Sequence, residues 1–111
     1  LTSLNNQSLK QIGHTKKVEQ LVLKQANLLK KASCDGIICS AQEANMIRKK
    51  FKNLLIITPG IRLPGDKKGD QKRVMTPKQA FRDGATSLVI GRSITHGNLK
   101  KNIQKIIKEL K

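Results

Sequence analysis

The stretch Leu54-Leu-Ile-Ile-Thr-Pro-Gly-Ile-Arg62 decides the fold. Leu54–Thr58 is apolar without alternation, the pattern of a strand covered on both faces, and Pro59-Gly60 ends it. Two shorter runs repeat the theme. Gly36–Cys39 follows Asp35-Gly36, and Ser87–Ile90 leads into Gly91-Arg92-Ser93. The segments between these strands read as helices. Ser40-Ala-Gln-Glu43 has the capping-box spacing, with Ser at the N-cap and Glu at N3, and predicts a helix to about Lys50 that buries Ala44, Ile47 and Phe51. Thr76-Pro77-Lys78-Gln79 starts another with Thr as N-cap and Pro in the first turn, and Gly84 stops it. Upstream, Val18, Leu21, Val22, Leu29 and Ala32 recur at helical spacing and predict a helix over Thr15–Ala32. Downstream, Leu99, Ile103, Ile106, Ile107 and Leu110 form the apolar stripe of a final helix. The order is a helix followed by three strand–helix units, which predicts α/β architecture with a parallel sheet and right-handed crossovers. No linker divides the chain.

Size and charge bound what such a sheet can be. The 111 residues suffice for a modest core but are about half of the roughly 250 in a closed eight-fold β/α barrel. Lys and Arg number 23 against 7 Asp and Glu, a net charge of +16, so polyanions stand among the possible partners. The lysine pairs at 16–17, 30–31, 49–50, 67–68 and 100–101 are spread evenly, as on a solvated basic surface rather than along one nucleic-acid track. With no Trp or Tyr and only Phe51 and Phe81, base stacking on aromatic platforms is disfavoured. Cys34 and Cys39 have no zinc-ligand spacing and make no disulfide framework. Cys39, in an apolar run, reads as a buried reduced thiol. No apolar run approaches the ~18 residues of a membrane span, and no leader of the signal-peptide type is present, which together suggest a cytoplasmic, reducing location and no membrane partner.

Ligands of parallel α/β folds sit at the carboxyl ends of the strands. Four clusters take such positions: Thr2-Ser3, Ser40, Thr58–Arg62 and Gly91-Arg92-Ser93. Arg62 and Arg92 each stand just past a strand beside glycine. An arginine fork together with backbone N–H groups is a phosphate site by chemistry, although surface arginines beside turn glycines would look the same. The segment Ile61–Val74 is long for a connector, and Gly69-Asp70-Gln71 within it could close over an anion. His14 and His96 lack a second ligand or acid partner at useful spacing and read as surface polar groups. No metal site is expected.

The linked strings Ile57-Thr-Pro-Gly-Ile-Arg62, Gly69-Asp-Gln71, Met75-Thr-Pro77 and Leu88-Val-Ile-Gly-Arg92 resemble orotidine 5′-phosphate decarboxylase. Asp35-Gly-Ile-Ile-Cys-Ser-Ala-Gln-Glu-Ala44 is similar to the family segment one strand earlier, and Leu1-Thr-Ser-Leu4 to the end of the strand before that. The resemblance implies a single partial (β/α)8 TIM-barrel domain over 1–111: the C-terminal part, from the end of strand 5 to strand 8 with their helices. It implies decarboxylation of orotidine monophosphate to UMP without a cofactor, usually in a homodimer. It places the substrate phosphate on Arg62, Gln71, Arg92 and the backbone of Gly91, and a nucleotide contact on Thr2.

The sequence also departs from the family pattern. The catalytic Asp-x-Lys-x-x-Asp is missing. Its nearest echo, Asp66-Lys67-Lys68-Gly69-Asp70, has Gly65 where the first Asp is required and reads as a solvated loop. The expectation is therefore a nucleotide-binding half-barrel with no catalytic residue of its own, inactive alone, which self-associates or pairs with an N-terminal half. The alternative is a basic remnant that binds nucleic acid or another polyanion by charge.

Overall fold

The computed structural model describes residues 1–66 and 73–111. In chain order the elements are α1 (Asn6–Gln11), α2 (Val18–Lys31), β1 (Gly36–Ile38), α3 (Ala41–Lys50), β2 (Leu55–Thr58), α4 (Pro77–Arg82), β3 (Ser87–Leu88), α5 (Arg92–Thr95) and α6 (Leu99–Leu110). The strands form one parallel sheet in the order β1-β2-β3, with Ile37 opposite Ile56 and Thr58 opposite Leu88. A helix joins each strand to the next, as the alternation of strand and helix signals requires.

Three expectations change at their edges. The strands are shorter than their apolar runs, though the ladder continues beyond them: Leu55 N donates to Asp35 O, Cys39 N to Ile57 O and Val89 N to Thr58 O. Helix α2 begins at Val18 rather than Thr15, because Asn6 Oδ1 accepts from Val18 N at 2.9 Å and ends the helix there. Leu1–Leu4, matched by the resemblance to the end of a strand, forms a turn closed by Leu4 N on Leu1 O. Helix α1 was not legible in the apolar pattern. Its signal is Asn5, whose Oδ1 caps Ser8 N at 2.9 Å.

The helices cover one face of the sheet. Ile37 and Ile56 pack there with Leu9, Val18, Val22, Ala26, Ala44 and Ile47. A second cluster joins Ala41, Ile61, Ala80 and Ala85, with Met75, Leu88 and Ile90 against it. Residues of opposite parity point the other way. On that face Ile38 is 67 %, Leu55 51 % and Val89 53 % exposed. In a closed barrel this side would be interior. The stripe on α6 is likewise mostly uncovered: Ile106 is buried, whereas Leu99, Ile103, Ile107 and Leu110 are exposed.

The amino ends of the strands are tightly joined. Arg48 Nε and Nη2 donate to Gly84 O at 3.2 and 3.0 Å, and Nη1 donates to Lys52 O. Thr86 Oγ1 accepts from Ile56 N and donates to Ile56 O. Gly36 packs so closely on Leu55 that a Cβ would lie 2.8 Å from the Leu55 carbonyl oxygen.

Candidate functional site

The carboxyl ends of β2 and β3 present the two arginines in equivalent ways. Thr58 and Leu88 are paired in register, and Arg62 and Arg92 each follow four residues later. Beyond β2, Gly60 takes a left-handed conformation (φ 76°) that turns the chain. Ile61 then bridges Met75, and Arg62 N donates to Met75 O at 3.0 Å. Arg62 is thereby buried at 8 % exposure, with Nη1 donating to Ile61 O at 2.9 Å. A guanidinium has five donors, and among the described residues this is the one acceptor found for it.

Beyond β3, Gly91 is the N-cap of α5. Its carbonyl accepts from Ile94 N and Thr95 N, and a Cβ there would meet open space. Arg92 opens the helix at the surface. Next to it Ser93 is buried, and among the described residues its Oγ has no hydrogen-bond partner; Thr58 Oγ1, at the end of β2, is also buried without one among them. An orphaned hydroxyl carries a desolvation cost of about 1–3 kcal/mol, and both fall at this end of the sheet.

Thr2 is half-buried in the Leu1–Leu4 turn and lines a crevice of about 50 Å³ with Val22, Ile37, Cys39, Ser40 and Glu43, so it stands beside the end of β1. Ser40 Oγ caps Gln42 N. The described residues do not include Gln71, nor Gly69, Asp70 and the lysines at 67–68, so those expectations lie outside them. Asp66 is exposed, and its Oδ2 accepts from Leu63 N at 3.2 Å while Asp66 N donates to Leu63 O. That is the work of a turn residue, in line with its reading as part of a loop. His14 and His96 are exposed, and among the described residues no three metal-ligating side chains gather.

One functional expectation is corrected. Glu43 does not complete a capping box with Ser40. It is 3 % exposed and ion-paired with Arg73. Arg73 Nε also donates to Gln42 Oε1 at 3.0 Å, and its Nη1 to the carbonyls of Leu1 and Leu4 at 3.3 and 3.5 Å. Burial pulls the Arg73 guanidinium down from its ordinary pKa, and the charges of Cys39 and Glu19 oppose that shift. The Cys39 thiol is pushed up to about 11 by burial, with Arg73 acting against it. Arg73 was missed because one arginine among 23 basic residues has no local pattern. The signal was Glu43, a charge in the apolar first turn of α3 that needs a partner.

Parallel strands with helices on one side and arginine-bearing loops at a shared carboxyl end define part of a β/α barrel. The sequence model of the "Orotidine 5′-phosphate decarboxylase / HUMPS family" matches residues 1–106. The chain belongs to that family. It is 50 % identical over 113 aligned positions to an orotidine 5′-phosphate decarboxylase of Coxiella burnetii (strain RSA 331), covering all of this chain and 48 % of that protein. A Pseudoalteromonas atlantica protein of the same name is 47 % identical over 96 residues, covering 86 % of this chain and 42 % of the relative. The crystal structure of the Lactobacillus acidophilus orotidine 5′-phosphate decarboxylase superposes with a TM-score of 0.75 at 31 % identity, over 99 % of this chain and 46 % of that one. The chain thus spans about half the length of the relatives it matches. These matches run along its length and give no support to the alternative of a remnant acting by charge alone.

Proposed function

We propose that residues 1–111 form one partial-barrel domain, the C-terminal and phosphate-holding part of an orotidine 5′-phosphate decarboxylase. The family description spans two names, and the relatives at 50 % and 47 % identity carry the decarboxylase one. The observation that carries the reading is the register: Arg62 and Arg92 leave neighbouring parallel strands at the same offset and the same end. In this reading Arg62, Arg92, the backbone of Gly91 and Gln71 hold the phosphate of a pyrimidine nucleoside monophosphate, and Thr2 contacts the nucleotide. No cofactor enters. Phosphate binding far from the reacting carbon supplies transition-state stabilisation as well as affinity.

The lysine and aspartates of the family's proton-delivering centre have no counterpart in this sequence, so carboxy-lyase activity in pyrimidine biosynthesis requires a second polypeptide segment. The uncovered sheet face and the exposed stripe on α6 support a complementary N-terminal half or a second copy as partner. Among the described residues no helix is long and apolar enough to cross a membrane, and we place the protein in the cytoplasm as a member of an oligomer.

A thermal-shift titration with UMP tests the reading. UMP raises the melting temperature, and Arg92→Ala weakens binding at least tenfold, as loss of a charge-assisted contact worth about 1.5–3 kcal/mol requires. The absence of any shift at millimolar UMP overturns it. Mixing the chain with a decarboxylase N-terminal half and measuring CO2 release tests the activity.

A further inference from the structure

We infer that Arg73 is a positioning residue for the nucleotide site, because it grips both ends of the turn that carries Thr2. Leu1 O and Leu4 O both accept from the same nitrogen, Nη1, and Leu4 N closes the turn on Leu1 O at 3.2 Å. Thr2 and Ser3 are the two residues between those carbonyls. The rest of the guanidinium is held from the other side: Nε donates to Gln42, and Nη2 pairs with Glu43. Gln42 and Glu43 belong to the first turn of α3, directly after β1. Arg73 therefore clamps the turn onto the carboxyl end of β1.

The chemistry needs arginine. Four acceptors on two segments are met by a planar fork with fixed donor directions, whereas lysine offers one flexible point charge. The side chains of Arg73 and Glu43 are 10 % and 3 % exposed. Such a pair makes a poor source of net stability, because desolvation offsets the attraction. What it gives is geometry, since a buried charge with its acceptors in fixed places tolerates few alternative arrangements. A ligand contact is effective only when held close to its productive position. Charge at Glu43 fixes Arg73, Arg73 fixes the turn, and the turn fixes Thr2. The inference rests on the assignment of Thr2 to the nucleotide site.

The test uses Arg73→Lys, Thr2→Ala and the double variant, with Arg92→Ala as the reference for the site itself. Arg73→Lys keeps a positive charge beside Glu43 and folds, as circular dichroism and urea unfolding will report. It lowers UMP affinity about tenfold, as Thr2→Ala does, and the double variant is no weaker than either single one. By NMR relaxation the amides of Thr2–Leu4 lose order in Arg73→Lys while those of α3 do not. Additive losses in the double variant, or unchanged order at Thr2–Leu4, overturn the inference. If Arg73→Lys fails to fold, Gln42→Ala removes the Nε acceptor alone, and the same loss of order in the turn is expected; its absence overturns the inference. No loss of UMP binding in Arg92→Ala would instead overturn the nucleotide reading, and the relaxation result would still decide whether Arg73 holds the turn.

Discussion

The two ends of the sheet are each tied by an arginine, in opposite styles. At the amino end Arg48 reaches the carbonyls of Gly84 and Lys52, Thr86 satisfies both backbone groups of Ile56, and Gly36 sits flush against Leu55. All of these acceptors are neutral. At the carboxyl end Arg73 meets a buried carboxylate, and among the described residues Arg62 is buried with most of its donors unused and the hydroxyls of Thr58 and Ser93 have no partner. One end minimises its polar cost. The other retains buried charge and orphaned polar atoms, which a fold optimised for stability alone would shed. In parallel α/β architecture that asymmetry separates the end that stabilises from the end that binds.

The largest expected effect probes the charged end. Glu43→Gln leaves the Arg73 charge buried without its counter-ion and costs about 3–5 kcal/mol in urea unfolding. A cost below about 1 kcal/mol would mean that water already screens the pair, and the contrast between the ends would collapse. The neutral end is broken by Gly36→Ala, whose Cβ meets the Leu55 backbone and costs about 1–3 kcal/mol of overpacking. It should not alter the UMP affinity of the folded fraction.

Next is a pH dependence. Cys39 ionises near 9 in the unfolded chain and near 11 in the folded one. Below pH 9 both states hold the proton and the stabilising difference is fully present. Between 9 and 11 the unfolded state loses it first, so stability falls as pH rises, by of order 1–2 kcal/mol. Cys39→Ala removes this component, measured as a smaller drop than the parent between pH 9 and 11. The smallest effect belongs to the uncovered face. Ile38→Thr changes stability by less than about 0.5 kcal/mol in dilute solution, because two-thirds of that residue is exposed. A larger, concentration-dependent loss would show that another copy covers it.

The sequence and the structure agree best where signals are local. The three strands, the cap at Thr76 with Gln79 and the stop at Gly84 are legible because each is set by neighbours within four residues. The equivalent placement of Arg62 and Arg92 is legible once the strands are assigned, since counting from a strand end suffices. The Glu43–Arg73 pair is not, because it joins residues 30 apart and Ser40–Glu43 offers a plausible local alternative. The exposure of most of the α6 stripe is also invisible in the sequence: a helical period reports which face is apolar, not whether another element covers it.

The two thiols have a practical consequence of their own. Cys34 is exposed and Cys39 is buried among the helices that cover β1. An alkylating reagent therefore marks the first at once and the second only when the core opens. Each molecule thus carries its own stopwatch and its own internal standard. The ratio of singly to doubly labelled chains, followed by mass spectrometry over time, gives the frequency of that opening without any added tag. Repeated in the presence of a nucleotide, it would show whether filling the carboxyl end slows the breathing of the layer beneath.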